Sequence, residues 1–189
     1  MKTIWIIGGP GCGKGTQCER IIAKYGLYHI SSGDLLREEV ASGSPRGASL
    51  QELMSKGLFV PTDIVLDLIR ERMEKAKKEG ATKTGFLIDG YPRELEQGKL
   101  FEEKVCPADK IIFFDVSNET MMKRLMGRAA VSQRADDNAE TIKKRIEIFN
   151  VKNGEIVEHY KDKVVRINAE GTVDEVFAEA TKALDPLFA

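Results

Sequence analysis

An α/β fold, a five-stranded parallel sheet with helices on both faces, follows from the order of apolar segments along this chain. Short apolar runs alternate from end to end with longer stretches whose apolar residues recur three and four apart. A glycine-rich turn joins the first run to the first helical stretch. Such alternation builds a parallel sheet, and ligands of such sheets bind beyond the carboxyl ends of the strands. At 189 residues the chain suits a single domain with a proper core.

The strands are expected at Thr3–Ile7, Tyr28–Ile30, Gly85–Asp89, Lys110–Val116 and Val164–Ala169. Ile64, Leu68, Met73 and Ala76 mark one amphipathic helix, which Gly80 ends. Ile142, Ile146, Phe149 and Ile156 mark another. Thr172 and Glu175 have the spacing of a capping box, and Asp137-Asn138-Ala139-Glu140 has a similar form with an acidic cap. Two segments interrupt the alternation. Residues 31–60 place mainly helical pattern between two strands, and residues 129–137 are a short polar stretch between two helices. Both are expected to move over a site, leaving 1–30, 61–128 and 138–189 as the core of the one domain.

Hydrophobic residues at 42% and charged residues at 31% are ordinary for a globular chain. A formal net charge of −1 gives no overall pull toward nucleic acid or an anionic membrane, so anion binding has to come from local clustering. No segment approaches the roughly 20 apolar residues of a membrane span, and none has the form of a secretory leader. Cys12, Cys18 and Cys106 form neither an even disulfide set nor a C-x-x-C pair, which points to a reducing, cytoplasmic setting.

Gly8-Gly9-Pro10-Gly11-Cys12-Gly13-Lys14 reads G-x-x-x-x-G-K after a strand and before a helix, the context that a phosphate-binding P-loop demands. Its glycines let backbone N–H groups turn inward around phosphate oxygens, and the helix start adds its dipole. Lys14 adds a compact charge for the outer phosphates. Gly15 stands where Ser or Thr usually ligates magnesium, with Thr16 one place later. A glycine-rich turn can also link strand to helix without binding anything; strand, motif and helix in register favour the polyphosphate.

Phe86-Leu87-Ile88-Asp89-Gly90 is an apolar strand ending in an acid. Alone it reads as an Asp-Gly turn, whereas beside a phosphate loop such an acid holds magnesium or its waters. A guanine-reading N/T-K-x-D sequence is absent. Arg37, Arg93, Arg128, Arg134 and Arg145 fall in loops or beside the two interrupting segments. Singly each reads as a surface residue or ion-pair partner. Together they suit phosphoryl transfer, whose transition state spreads charge over three oxygens and calls for bidentate, permanently charged donors.

With these motifs in place, the sequence resembles the adenylate kinases, and their short cytosolic form most. The resemblance rests on Gly8 to Gln17, Ser31-Ser32-Gly33-Asp34-Leu35-Leu36-Arg37, Asp89-Gly90-Tyr91-Pro92-Arg93 with Gln97, and Arg134-Ala135-Asp136-Asp137-Asn138. It continues through Gly57-Leu58-Phe59-Val60-Pro61 and Asn168-Ala169-Glu170-Gly171, nearly end to end. It implies a P-loop nucleoside monophosphate kinase fold with a helical NMP-binding insertion and a short lid, performing reversible transfer from MgATP to AMP to give two ADP. By the same resemblance Gly11, Cys12, Gly13, Lys14, Gly15 and Thr16 would wrap the ATP phosphates, Arg128 would contact them, and Arg124 and Gly171 would border the ATP adenine. Ser32, Arg37, Leu58, Phe59, Val60, Gly90, Tyr91, Pro92, Arg93 and Gln97 would hold AMP. Arg134 and Arg145 would close around the transferring group, and Asp89 would hold Mg2+ through water. Partners would be ATP, AMP and ADP alone, with neither nucleic acid nor membrane, and the chain a monomer.

Three departures from the family pattern stand out. Cys12 replaces a common Ser and is expected to expose a thiol beside the phosphates, open to thiol reagents unless ATP protects it. Ala129 and Gln133 replace lid glycines, which is expected to stiffen the lid. The pyrimidine-directed UMP/CMP kinases share the fold but usually read Ser-Ala-Gly-Asp at Ser31–Asp34, and Asn where Glu94 stands. A nucleotide-binding switch would have no use for Arg37, Arg93 and a second insertion. His29 and His159 have no metal-like partner in the sequence and carry no assigned chemistry. Met121, Met122 and Met126 read as core filling, Trp5 as buried packing, and Lys75 to Lys78 as a solvated helix end.

Overall fold

Residues Lys2–Gly8 form the central strand, β1, because its side chains satisfy two apolar layers at once. Trp5 and Ile7 enter one layer, and Ile4 and Ile6 the other. The computed structural model describes residues 1–58, 60–131 and 138–189. The other strands are β2 (Leu27–Ser31), β3 (Gly85–Asp89), β4 (Lys110–Asp115) and β5 (Val164–Asn168), all parallel, in the order β2-β3-β1-β4-β5. All five expected strands are present, to within one residue at either end.

The helices are α1 (Lys14–Tyr25), α2 (Ser32–Ala41), α3 (Pro45–Ser55), α4 (Thr62–Lys78), α5 (Leu95–Lys104), α6 (Asn118–Ala129), α7 (Ala139–His159) and α8 (Val173–Phe188). On the Trp5 face, α2 to α5 contribute Leu35, Leu50, Ile69 and Phe101. On the Ile4 face, α1, α6 and α8 contribute Ile21, Leu125 and Ala180. Helix α7 serves both, with Ile156 in the first layer, Ile142 and Ile146 in the second, and Phe149 against each. Trp5 is wholly buried. The edges of Phe101 and Tyr160 meet it at ring distances of 5.4 and 5.3 Å.

Helix ends carry their own chemistry. Thr172 and Glu175 form the expected capping box of α8. The cap of α7 differs from expectation: it is the Asn138 amide, accepting from Thr141 N–H at 3.0 Å, not an acid. Gly80 ends α4 as expected, in left-handed conformation at φ 64°. The bonds Gly80 N–H to Lys77 O and Ala81 N–H to Ala76 O close a Schellman motif. Met126 is 46% exposed, so it does not fill the core as Met121 does; Met122 is only partly buried.

Register then places the site. Asp89 pairs with Ile6 on one side and Ser31 on the other, so the carboxyl ends of β1, β2 and β3 bring Gly8, Ser31 and Asp89 to one sheet edge. The chain leaves β1 toward β2 and leaves its neighbour β4 toward β5 on the opposite side. Neighbouring strands whose connections diverge in this way open a crevice between them.

Candidate active site

The loop after β1 turns on glycine. Gly11 has φ 75° and Gly13, the N-cap of α1, has φ 90°. No side chain among the described residues caps α1, so its first amides face the crevice with their partial positive charge uncancelled. Lys14 folds over the loop, its Nζ donating to Gly8 O at 3.0 Å and Gly9 O at 3.1 Å.

A cleft of about 740 Å³ opens above this loop. Gly11 through Gln17 line it together with Arg124, Arg128, Ala169 and Gly171 at one end. Arg37, Asp89, Gly90 and Arg93 line the other end, and Arg145 the wall. Its cations are Lys14, Arg37, Arg93, Arg124, Arg128 and Arg145, against the carboxylates Glu19, Asp34 and Asp89. In a chain of net charge −1 this is a local positive field, built where phosphates would lie.

Beyond Arg93 a small pocket lies between Ser32, Leu36, Val60, Val65, Tyr91 and Gln97. Gly90 O organises it, accepting from Ser32 Oγ at 2.8 Å and Arg93 Nε at 3.2 Å. Gln97 braces the turn from α5: its Oε1 accepts from Arg93 N–H at 2.8 Å, and its backbone carbonyl from Tyr91 OH at 2.7 Å. Burial pushes the Tyr91 phenol well up, so it stays a donor. Arg37 is paired with Asp34 at 2.5 Å. A third cavity, about 80 Å³, joins the two ends; Lys14, Leu58, Pro92, Arg93, Arg145 and Phe149 line it.

The structure therefore brings the sequence-selected residues to one crevice, apart from Phe59 and Arg134, which lie outside the described residues. Gln133 and the rest of 132–137 lie outside them too; Ala129 is the last residue of α6. Two expectations are corrected. Cys12 is not an exposed thiol: it is 2% exposed, tucked where a side chain on Gly8 would collide with its Sγ at 2.7 Å. His29 does have metal-like neighbours, since Cys18 and Asp89 converge on it. Burial, and then the charge of Asp89, pushes the Cys18 thiol up.

Some site features were missed in the sequence. Buried Gln17 donates through Nε2 to Val173 O at 3.0 Å, tying the loop helix to the chain after β5. Thr141 Oγ1 donates to Ser55 O at 2.7 Å, tying α7 to the end of α3. Ile148, Phe149 and Ile156 turn one face of α7 to the central cavity. Only the apolar period of α7 was legible, and it reads as core alone.

Comparison with known proteins agrees with this geometry. The adenylate kinase family model matches residues 6–165. Adenylate kinase isoenzyme 1 of Caenorhabditis elegans is 57% identical over 187 residues, covering 98% of this chain and 88% of the relative. The isoenzyme 1 of Gallus gallus is 53% identical over 188 residues, covering 98% and 95%. Adenylate kinase 1 of Drosophila melanogaster is 51% identical over 187 residues, covering 98% and 80%. With a phosphate loop, an arginine-lined cleft and similarity along almost its whole length, the chain belongs to the adenylate kinase family.

Proposed function

We propose that the cleft holds ATP along residues 11–16 and AMP between Ser32 and Gln97, with the phosphoryl group passing between them. The chain is a nucleoside monophosphate kinase of the adenylate kinase family, and its reaction is ATP + AMP to two ADP. One observation carries the division of the site: loop amides at one end and the Arg37–Arg93 pair at the other face each other across a cavity lined by Lys14 and Arg145.

Backbone N–H groups of Gly11, Cys12, Gly13, Gly15 and Thr16 would enclose the ATP phosphates, and the Lys14 ammonium would leave its two carbonyls for the outer oxygens. Arg128 adds to this grip, while Arg124 and the Gly171 backbone border the ATP base. Arg37 and Arg93 hold the AMP phosphate. Gln97, its carbonyl already engaged by Arg93 N–H, has its NH2 left to donate to a ring nitrogen of adenine beside Ser32. Leu58, Phe59, Val60 and the turn Gly90-Tyr91-Pro92 wall the base. Arg145 and Arg134 neutralise charge on the moving group. Asp89, an acid at the cleft floor within reach of the loop, suits Mg2+ held through water. Such an ion would lower the charge of the bound phosphates. Closure of residues 31–60 and of the short lid, 129–137, would exclude water, so that phosphate goes to AMP instead of being hydrolysed.

The reading is of a cytoplasmic monomer acting on small nucleotides. No helix among the described residues is long and apolar enough to cross a membrane. In support of a monomer, those of the exposed large apolar side chains that lie on helices, Met126, Val151 and Val173, stand on three different ones, with Met1, Leu58 and Val131 outside the helices. A coupled assay with a panel of nucleoside monophosphates tests the assignment. AMP is expected to be preferred, and Lys14→Met to lose about a thousandfold or more in kcat. A compound joining two adenosines through five phosphates should bind tightly; weak binding, or preference for UMP or CMP, would refute the two-ended site.

A further inference from the structure

Beneath the nucleotide cleft, side chains from three separate elements meet. Cys18 on α1, His29 on β2 and Asp89 at the end of β3 each offer a ligand atom, and the three atoms lie within 4.8 Å of one another. His29 Nε2 and Asp89 Oδ2 are 3.3 Å apart. Cys18 has no exposed surface, whereas His29 and Asp89 line the cleft, so the thiol forms the floor of a site open on one side.

We propose that Cys18, His29 and Asp89 form a binding site for a thiophilic divalent cation, with zinc the best match, and that the ion enters from the nucleotide cleft. One sulfur, one nitrogen and one oxygen make a donor set that magnesium, which seeks six oxygens, does not favour. A tetrahedral zinc with bonds of about 2.0–2.3 Å holds its donors roughly 3.3–3.7 Å apart. The His29–Asp89 pair already has that separation, and Cys18 has to approach by about 1 Å at most. Water from the cleft supplies the fourth ligand. On binding, the Cys18 S–H bond breaks, a sulfur–zinc bond forms, and the proton leaves to solvent. His29 binds as neutral imidazole, so thiolate and carboxylate together balance the ion's two charges.

Binding carries a consequence. Zinc on Asp89 takes away the carboxylate assigned to magnesium, so zinc inhibits phosphoryl transfer. That inhibition rests on the assignment of Asp89 above; the binding itself does not.

The test uses the full-length chain without nucleotide. Zinc chloride is added, free ion is removed by gel filtration, and retained metal is measured by elemental analysis; one zinc per chain is expected. Cobalt in its place should give the near-ultraviolet thiolate-to-metal charge-transfer band. Cys18→Ala and His29→Asn should each weaken zinc binding tenfold or more, and Cys18→Ala should abolish the band. Cys106→Ser should preserve it, since that thiol lies 3.3 Å from Thr3 Oγ1 at the opposite end of β1. Cys18→Ala should keep its activity in zinc-free buffer and resist zinc inhibition. Retention below half an equivalent, a band that survives Cys18→Ala, or unchanged zinc affinity in His29→Asn would overturn the proposal. His29→Asn, altering a half-buried strand residue, decides the matter should Cys18→Ala fail to fold. Loss of the transferase reading in the nucleotide assay would leave these metal measurements standing.

Discussion

At Gly11 a side chain has nowhere to go. The backbone sits at φ 75°, and a Cβ would come within 2.9 Å of Leu125 Cγ and 3.0 Å of Met121 O. Gly11→Ala is therefore expected to cost about 1–3 kcal/mol in strain. The shifted loop should raise KM for ATP tenfold or more while KM for AMP stays within about twofold, since AMP meets other residues; calorimetry and steady-state kinetics check both. The loop was legible in the sequence because consecutive residues fix its amides. Orientation was not. Cys12 turns inward because Gly8 leaves it room, which removes the basis for expecting attack by thiol reagents. The Cys18, His29 and Asp89 cluster was equally hidden, because the pairing of β2 with β3 and the packing of α1 on the sheet, not chain proximity, assemble it.

Among the elements, the start of α6 and the segment that follows β5 are tied by one carboxylate. Glu170 accepts from Ser117 N–H at 2.6 Å and from Thr120 Oγ1 at 2.8 Å, and these bonds, the amide first, hold its pKa below the ordinary 4.5. Because the folded value is the lower one, the contribution to stability is full above the unfolded pKa and fades as pH falls through the folded value. Glu170→Gln should unfold at lower urea than wild type at pH 7, with the gap closing as pH drops below 4.5. Equal gaps at both pH values would exclude this linkage. Strands, capping box and Gly80 terminus were readable because each is a local signal a few residues long. The Asn138 cap was misread as acidic, since neighbouring Asp and Asn differ little as caps, and the entry of the chain into the helix decides between them.

At the scale of the molecule, alternation along the chain announced a parallel sheet but not its order, which depends on pairings between strands far apart in sequence. Nor did it announce that α7 would join both apolar layers while lining the central cavity. The one tryptophan sits at the middle of this arrangement, on the central strand. Its ring is sealed between Phe101 and Tyr160, and its indole N–H has no hydrogen-bond partner among the described residues. That makes Trp5 an optical reporter of the interior alone. Its fluorescence should be blue-shifted, indifferent to added nucleotide, and lost in the same urea step as the far-ultraviolet dichroism. Two separate steps would mean that the layers on either side of the sheet melt independently, each with its own share of the kinase.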